Sequence, residues 1–307
     1  MNILITGGSG YLANRIGKYL SQNPSHNVIL ASQKKDYNKL RLSRFINWKS
    51  NSSIKLLCNG IDVIIHAAGY NLGDSEKTPH ESINFSRLSM QKLFNCSAKN
   101  NKTKIIFLST AHVYKMPLIG RINENVPTTN EHPYALSNLA GERELLKNCK
   151  IYKNLDGIIL RISNCFGLPN SLNDNGWNLV VNSMCLDAIK NKKILIQGPR
   201  DSVRNFLPIS RFLKILEFFV LQDNPKINGG IFNVGHKKSH TIQQMAKIIQ
   251  SRCRKLYNFS PPIRFNSNTM TKHTLYYDSV KGMGTIDNSN SFTDEIDSIL
   301  VYLKNQY

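Results

Sequence analysis

The first twenty residues restrict the fold more than any other part of the chain. Residues 1–6 form a short apolar run, residues 7–10 form a glycine-rich turn, and Tyr11–Leu20 places apolar residues at helical spacing. Glycines permit the sharp turn and let the backbone approach a pyrophosphate, which then rests on the N-terminus of the helix. This order of strand, turn and helix predicts a dinucleotide-binding turn.

Strands and helices alternate through the first half of the chain. Apolar runs at residues 28–31, 61–67 and 104–108 predict buried strands, and helical patterns at residues 81–98 and 135–146 predict helices. Such alternation is typical of a parallel sheet with right-handed crossovers. We therefore expect an α/β protein, with a Rossmann doubly wound parallel sheet and a smaller C-terminal α/β substrate lobe.

The second half of the chain has a looser pattern and no linker of Pro, Gly or Ser. Helices are predicted at residues 179–189, 211–220 and 242–249, and a strand at residues 194–197. We expect a dinucleotide-binding domain over residues 1–165, with residues 203–230 packing back on it. Residues 166–202 and 231–307 then form the substrate-binding lobe.

The chain is strongly basic, with 40 Lys and Arg against 20 Asp and Glu and a net charge of +20. Such a charge is frequent in nucleic-acid-binding proteins. The basic residues form scattered short clusters without a helix-turn-helix or an RNA-stacking motif, so no nucleic-acid partner is expected. A solvated basic surface is the favoured interpretation, and attraction of an anionic cofactor and substrate is the next.

The six cysteines are widely spaced and include no Cys-x-x-Cys pair. This spacing predicts reduced thiols in the cytoplasm and no metal site. Strand-like residues begin at Asn2, and charged residues interrupt the apolar stretch at residues 212–221. We therefore expect neither a signal peptide nor a membrane segment.

The predicted cofactor contacts begin in the turn, at Gly7, Gly10, Tyr11 and Leu12, with Ala13 where a third glycine is usual.

The second predicted strand ends in Ser32-Gln33-Lys34-Lys35, where an NAD-selective site carries an acidic residue. A hydroxyl and cations suit a 2′-phosphate, so we predict contacts at Ser32 and Lys34 and favour NADP over NAD. The alternative is that the lysines belong to the general basic surface.

Three further segments carry a resemblance to a known family: DVIIHAAG at residues 62–69, LSTAHVY at 108–114 and PYALSNLAGE at 133–142. The likeness continues in LRISNCFG at 160–167, RNF at 204–206, FNVG at 232–235 and DS at 278–279. Together they resemble the extended short-chain dehydrogenase/reductase family, in its NAD(P)-dependent nucleotide-sugar epimerase/dehydratase branch. The resemblance covers nearly the whole chain, and it implies cofactor contacts at His66, Ala67 and Ala68.

In that family a tyrosine beside the nicotinamide gives or takes a hydroxyl proton, and a Ser or Thr hydrogen-bonds the same oxygen. A lysine four residues after the tyrosine lowers its pKa. The resemblance therefore implies catalytic roles for Tyr134, Thr110 and Asn138, where Asn138 replaces the lysine. An asparagine can hold a ribose hydroxyl but carries no charge to stabilise a tyrosinate. Lys115 or His112 is an alternative source of that charge.

Dehydratases of the family carry an Asp-Glu pair directly after the catalytic Thr, and here that pair is Ala111-His112. Sugar 4,6-dehydration is therefore not expected. His112 is either an acid or base facing the sugar or, as we favour, a structural residue.

Asn164 and Arg204 match family positions that contact the substrate diphosphate. A guanidinium binds phosphate bidentately, although Arg204 would look the same in a surface salt bridge. Family members commonly pair two helices from each subunit, so the resemblance also implies a homodimer through the helices predicted at residues 81–98 and 135–146.

The leading hypothesis is an enzyme, an NAD(P)-dependent nucleotide-sugar epimerase or keto-sugar reductase that acts by hydride transfer at a sugar carbon. It would be classed as an isomerase or an oxidoreductase. The alternative is a catalytically impaired dinucleotide-binding sensor or scaffold protein, because the usual active-site lysine is Asn138. An RNA-associated protein is a third hypothesis, and it predicts binding that weakens steeply with salt.

Overall fold

A computed structural model describes residues 1–34, 43–98, 100, 102–223, 227–266, 273–279 and 292–307. The strands are β1 (Asn2–Thr6), β2 (Asn27–Ser32), β3 (Ser43–Phe45), β4 (Val63–His66), β5 (Thr103–Thr110), β6 (Gly120–Ile122), β7 (Leu155–Ile162), β8 (Asn164–Phe166), β9 (Ile194–Ile196), β10 (Val203–Pro208), β11 (Gly230–Val234), β12 (Ser239–Thr241), β13 (Ile263–Phe265) and β14 (Leu275–Tyr277). The helices are α1 (Tyr11–Leu20), α2 (Asn51–Cys58), α3 (Leu72–Lys77), α4 (Pro79–Ser97), α5 (Pro133–Ile151), α6 (Val180–Lys190), α7 (Ile209–Leu221), α8 (Ile242–Tyr257) and α9 (Phe292–Lys304).

The central sheet has seven strands in the order β11-β7-β5-β4-β1-β2-β3. Each neighbouring pair from β7 to β3 runs parallel. The order reverses direction at β1, since the chain first builds outward through β2 and β3 and then returns to add β4 on the other side. This is the doubly wound order of a Rossmann sheet. The predicted fold class is confirmed.

The chain forms two compact units, and the first contains Met1–Lys115, Pro127–Ile162 and Leu216–Phe232. Its strands are almost continuous apolar runs because helices cover both faces of a parallel sheet. The core on one face includes Leu4, Ile64, Phe94, Ile105 and Ile159.

Helices α4 and α5 pack closely through small residues. The Ser137 hydroxyl donates to the Ser82 carbonyl at 2.9 Å, and its oxygen lies 2.9 Å from the Ser86 hydroxyl. This contact fixes the helix that begins with Pro133-Tyr134.

The second unit contains Met116–Val126, Ser163–Ile215 and Asn233–Tyr307. It holds a three-stranded sheet in the order β12-β10-β8 and the strand pairs β13-β9 and β14-β6. Helices α6, α8 and α9 enclose its core, which includes Met184, Met245 and Ile299.

The predicted elements of the first unit are confirmed where the pattern was strongest. Helix α1 has the predicted bounds, and α4 and α5 cover the predicted helices at residues 81–98 and 135–146 with small differences at their ends. Strand β7 and helices α2 and α9 were not predicted from the sequence pattern.

Within the described part of the chain, no helix is both long enough and apolar enough to cross a membrane. None of the six cysteines forms a disulfide. No group of three or more His, Cys, Asp or Glu side chains among the described residues is arranged to hold a metal ion.

Candidate functional site

The turn between β1 and α1 is built so tightly that glycine is required. Gly7 has a φ of 75°, and a Cβ atom there would lie 2.8 Å from backbone atoms of Ala67 and Ala68 at the end of β4. The Gly10 amide donates to the Gly7 carbonyl at 2.8 Å, and the Gly8 amide donates to the Ala31 carbonyl at 2.9 Å. The turn is therefore pressed against the carboxyl ends of its two neighbouring strands.

Helix α1 begins directly after this turn. Its N-cap residue, Gly10, makes no side-chain cap hydrogen bond, and its first turn contains no acidic residue. Tyr11 and Leu12 are partly exposed in that first turn, whereas Ala13 is buried against the sheet. An N-terminus of this kind, without a competing carboxylate, suits a phosphate group.

His66 ends strand β4 and is fully buried. Its Nδ1 lies 2.7 Å from the Thr6 hydroxyl, its Nε2 lies 3.1 Å from the Ser89 hydroxyl, and its ring stacks on Phe107. Burial lowers the pKa of His66 to about 3, so the ring is neutral at physiological pH. A side chain without exposure cannot reach a bound ligand, and we assign His66 a supporting role.

The residues beside His66 are more accessible. Ala67 and Ala68 are partly exposed, and the Ala68 amide donates to the Thr6 hydroxyl at 3.4 Å. His66, Thr6 and Ala68 thus form one hydrogen-bonded group at the ends of β1 and β4.

The end of β2 carries the residues predicted to select the cofactor. Ser32 is buried, and its hydroxyl accepts a hydrogen bond from the Lys34 amide at 3.1 Å. The Lys34 side chain is exposed. Lys35 lies outside the described residues. The hydroxyl of Ser32 therefore shapes the turn that presents Lys34.

The structure brings Thr110 and Tyr134, the two predicted hydroxyl groups, close to each other. Thr110 ends β5, where its hydroxyl accepts from the His112 amide at 3.2 Å, and Tyr134 lies in the first turn of α5. Burial raises the pKa of Tyr134, while hydrogen bonds with Thr110 and Asn138 act in the opposite direction. The phenol is therefore protonated at neutral pH.

Asn138 lies one helical turn after Tyr134. Its Nδ2 donates to the Tyr134 carbonyl at 2.8 Å, so the amide is partly used within α5. An amide hydrogen bond can stabilise a tyrosinate, but much less than a lysine charge would.

A buried ionic network that the sequence did not predict lies one further turn along α5. Glu142 accepts two hydrogen bonds from Arg161 on β7 and one from the Ser109 hydroxyl on β5. Arg161 also donates to the Tyr114 hydroxyl at 3.0 Å. Tyr134, Asn138 and Glu142 follow each other at four-residue spacing, which places them on one side of α5. That spacing is the signal in the sequence that identifies Glu142.

The predicted substrate residues lie in the second unit. Asn164 on β8 donates from Nδ2 to the Asn205 carbonyl at 3.0 Å, and it pairs in register with Phe206 on β10. Arg204 is two residues before Phe206, so its side chain points to the same face of the sheet as Asn164.

The Arg204 guanidinium is half-buried without an anionic neighbour. Among the described residues, its side chain makes no hydrogen bond and no ion pair, and burial lowers its pKa. An unpaired, half-buried cation of this kind needs an anion to offset its desolvation.

Residues 3–235 match the sequence model of a family described as the NAD dependent epimerase/dehydratase family. The chain belongs to this family. The resemblance predicted from the motifs is thereby confirmed.

Sequence relatives of this epimerase/dehydratase family member include proteins named for two reactions. It is 25% identical over 336 residues to an uncharacterized UDP-glucose epimerase, YtcB, of Bacillus subtilis (strain 168), and the match covers 100% of this chain and 99% of that protein. It is 25% identical over 260 residues to the dTDP-D-glucose 4,6-dehydratase of Homo sapiens, covering 80% and 72% of the two chains.

Solved structures of similar fold hold either nicotinamide cofactor. UDP-glucuronic acid 4-epimerase from Bacillus cereus, in complex with UDP-glucuronic acid and NAD, has a TM-score of 0.81 at 19% identity and covers 100% of both chains. RMD from Pseudomonas aeruginosa, complexed with NADPH, has a TM-score of 0.76 at 16% identity, covering 100% of this chain and 99% of that one. At these identities the likeness establishes the epimerase/dehydratase fold.

Proposed function

We propose that this family member is an enzyme that transfers hydride at a carbon of a nucleotide sugar, as a 4-epimerase or a keto-sugar reductase. The observation that carries the proposal is the proximity of Thr110 to Tyr134, where Thr110 acts to lower the pKa of the phenol, because one substrate oxygen could contact both hydroxyl groups. The dinucleotide turn at Gly7 lies in the same unit.

The residues at the ends of β1, β2 and β4 fit a nicotinamide dinucleotide. Gly7 leaves no room for a Cβ atom, and Gly10 leaves the N-terminus of α1 without a side-chain cap. In this proposal Gly7, Gly10, Tyr11 and Leu12 hold the pyrophosphate, with Ala67 and Ala68 beside them. When bound, the nicotinamide would accept a hydride from the sugar and return it.

We favour NADP over NAD on the chemistry of the β2 end. Ser32 and Lys34 offer a hydroxyl and a cation there, and no acidic residue follows Ala31 before residue 35. A ribose 2′-phosphate would gain a charge-assisted hydrogen bond from Lys34.

Tyr134 is proposed to exchange a proton with the reacting sugar oxygen, and Thr110 to hold that oxygen by a hydrogen bond. Because burial raises the pKa of Tyr134, the phenol is in the form that donates a proton. This form suits the step in which a keto sugar becomes an alcohol. The reverse step requires a tyrosinate, which the uncharged Asn138 supports only weakly.

We propose that Arg204 and Asn164 bind the substrate diphosphate. Arg204 is a cation without an anionic partner among the described residues, and Asn164 shares its sheet face. The relatives are named for reactions of UDP- and dTDP-sugars, which supports a nucleoside diphosphate sugar as the substrate class. Ala111 and His112 replace the acid-base pair of dehydratases, so we do not propose 4,6-dehydration.

Other parts of the proposal concern the whole protein. We propose a homodimer that pairs α4 and α5 of each subunit, a cytoplasmic location, and no nucleic-acid partner. We also propose a dinucleotide-binding domain at residues 1–165, with 203–230, and a substrate-binding lobe at 166–202 and 231–307. In the structure, residues 116–126 and 203–215 belong to the second compact unit.

The test is a fluorescence titration of the purified protein with NADH and with NADPH, followed by UDP-, GDP- and dTDP-sugars with both cofactor redox states. Products are separated to detect epimers and reduced sugars. The expected result is cofactor binding with turnover in the wild type and binding without turnover in Tyr134→Phe. Binding without any turnover would favour a sensor or scaffold, and absence of cofactor binding would contradict both functions.

A further inference from the structure

The helix that carries Tyr134 begins with an unusual cap. His132 is the N-cap residue of α5, with φ −61° and ψ 136°, and its Nδ1 accepts a hydrogen bond from the Tyr134 amide at 3.1 Å. Ser, Thr, Asp and Asn are the common N-cap residues, because their side-chain oxygen accepts a hydrogen bond from a backbone amide of the first turn. These oxygens still accept at neutral and mildly acidic pH. An imidazole can fill this position in one protonation state only.

A second contact holds the imidazole in that state. His132 Nε2 lies 2.9 Å from Glu76 Oε1 on α3. A carboxylate accepts hydrogen bonds and does not donate them, so the proton is on Nε2 and Nδ1 is left free to accept. Glu76 therefore selects the tautomer in which His132 can cap Tyr134.

The same segment is connected to Thr110. The Thr110 hydroxyl accepts from the His112 amide, and the His112 carbonyl accepts from Asn130 Nδ2 at 2.6 Å. Asn130 Oδ1 in turn accepts from the His132 amide at 3.0 Å. A continuous chain of hydrogen bonds thus links Thr110 to the backbone of Tyr134 through Asn130 and His132.

We propose that His132, held by Glu76, is a positioning residue for Tyr134 and makes the position of Tyr134 dependent on pH. The inference rests on the proposed function for its catalytic consequence. When His132 takes up a second proton, Nδ1 becomes a donor and can no longer accept from the Tyr134 amide. The first turn of α5 then loses its cap, and the tyrosine loses the contact that fixes its backbone.

Several charged groups surround His132. Glu76 on α3 faces Nε2, and Glu131 precedes His132 in the chain. His132 itself lies at the N-terminus of α5, the positive end of the helix dipole. On the adjoining turn His112 packs edge-on against the Tyr134 ring, with 5.8 Å between ring centroids, and is a second titratable group near the tyrosine. The test must therefore assign the pH effect to His132.

The test compares His132→Asn, His132→Ala and the control His80→Asn in the full-length protein. Asn keeps a cap acceptor that does not titrate, whereas Ala removes the cap. His80 is an exposed residue in the first turn of α4, next to Pro79. His80→Asn therefore makes the same substitution at the start of a different helix.

The first readout does not require a substrate. In protein labelled with ¹⁵N-tyrosine, the Tyr134 amide resonance is the one that Tyr134→Phe removes. It should move through one titration as the pH falls in the wild type and in His80→Asn, and that titration should be absent in His132→Asn. If the wild-type resonance does not follow pH, or if His132→Asn titrates in the same way, the inference is overturned.

The second readout separates positioning from a purely structural role. With the nucleotide sugar that is turned over, His132→Ala should lower kcat on the order of tenfold to a hundredfold while KM changes less than about twofold. His132→Asn should recover most of the kcat that His132→Ala loses. It should also lack the fall in kcat at acid pH that His132 causes in the wild type. An equal kcat in all variants would overturn the positioning role. If no sugar is turned over, the proposed function fails, and the amide titration still decides the inference about His132.

Discussion

Arg161 and Glu142 form a bidentate ion pair inside the first unit, with Nε 3.0 Å from Oε1 and Nη2 2.7 Å from Oε2. Their side chains are 5% and 3% exposed. The pair connects β7 to the middle of α5, two turns after Tyr134. It therefore holds the helix of the proposed active site against the sheet.

Removing one partner of this pair should destabilise the protein strongly, because the other charge would remain buried and unpaired. For Arg161→Met or Glu142→Leu we expect a loss of about 3–5 kcal/mol in the free energy of unfolding, measured with urea. The double variant should lose less than the sum of the single losses. As a control, Arg121→Met removes an exposed ion pair with Asp278 and should change stability little. A similar small change for Arg161→Met would contradict this account.

Stability should fall in mild acid because His66 is buried in its neutral form. Its pKa of about 3 in the folded protein lies below the ordinary 6.5, so the unfolded chain binds more protons between these values. The contribution of neutral His66 to the free energy of unfolding is complete above about pH 6.5. It is lost at about 1.4 kcal/mol per pH unit as the pH falls toward 3. His66→Gln should be less stable at pH 8 but show a shallower fall between pH 6.5 and 4. His80→Gln is the control, and an unchanged slope in His66→Gln would remove His66 from the acid response.

Two effects at Gly7 can be measured separately: its close packing against the backbone of Ala67 and Ala68, and its positive φ. Gly7 and Gly60 have similar positive φ values of 75° and 67°, but a Cβ at Gly60 meets no atom within 4 Å. Gly60→Ala therefore reports the conformational cost, roughly 1 kcal/mol. Gly7→Ala should lose more stability and also weaken NADH binding in a fluorescence titration, because its Cβ meets backbone. Equal losses for the two variants would show that packing against Ala67 and Ala68 is unimportant.

Restoring the family lysine should raise turnover. Asn138→Lys would place a positive charge one helical turn from Tyr134 and lower the pKa of the phenol. Each pKa unit by which the phenol falls raises the fraction of tyrosinate tenfold at neutral pH. We therefore expect at least a tenfold gain in the rate of sugar oxidation. Asn138→Gln, which stays uncharged, is the control. A Lys variant no faster than the Gln variant would show that the tyrosinate does not limit the rate.

Lys34 should discriminate between the two nicotinamide cofactors. Lys34→Glu should weaken NADPH binding by about tenfold or more while changing NADH binding much less, because only NADPH carries the 2′-phosphate. Lys49→Glu, an exposed lysine in a turn, makes the same change in net charge and is the control. If Lys34→Glu weakens both cofactors equally, the preference for NADP has no basis in this residue.

The sequence predicted the fold well where local chemistry was sufficient. The glycine turn and the apolar spacing of Tyr11–Leu20 determine α1 on their own, and its bounds are confirmed. Helix α2 was missed because Asn51–Cys58 is short and half polar, so its helical spacing is weak. Its start depends on a hydrogen bond from the Ser53 amide to the Ser50 side chain.

The site was predicted only in part for a related reason. Thr110 and Tyr134 were identified because family motifs contain them, and the structure places Thr110 close enough to act on the pKa of Tyr134. Glu142 and Arg161 are 19 residues apart on different elements, and nothing local in either segment indicates that they pair. His132 was missed because histidine is not a usual N-cap residue, and its role depends on Glu76 from another helix.

The strand order also affects how the chain is made. Strands β1 to β5 and β7 are complete once residue 162 has been synthesised, but β11, the outer neighbour of β7, ends at Val234. At the roughly 5–20 residues per second of ribosomal synthesis, that edge of the growing sheet waits several seconds for its partner. An unpaired edge strand readily joins other strands. During this interval, a chaperone bound at the exposed edge of β7 would protect the nascent protein from aggregation.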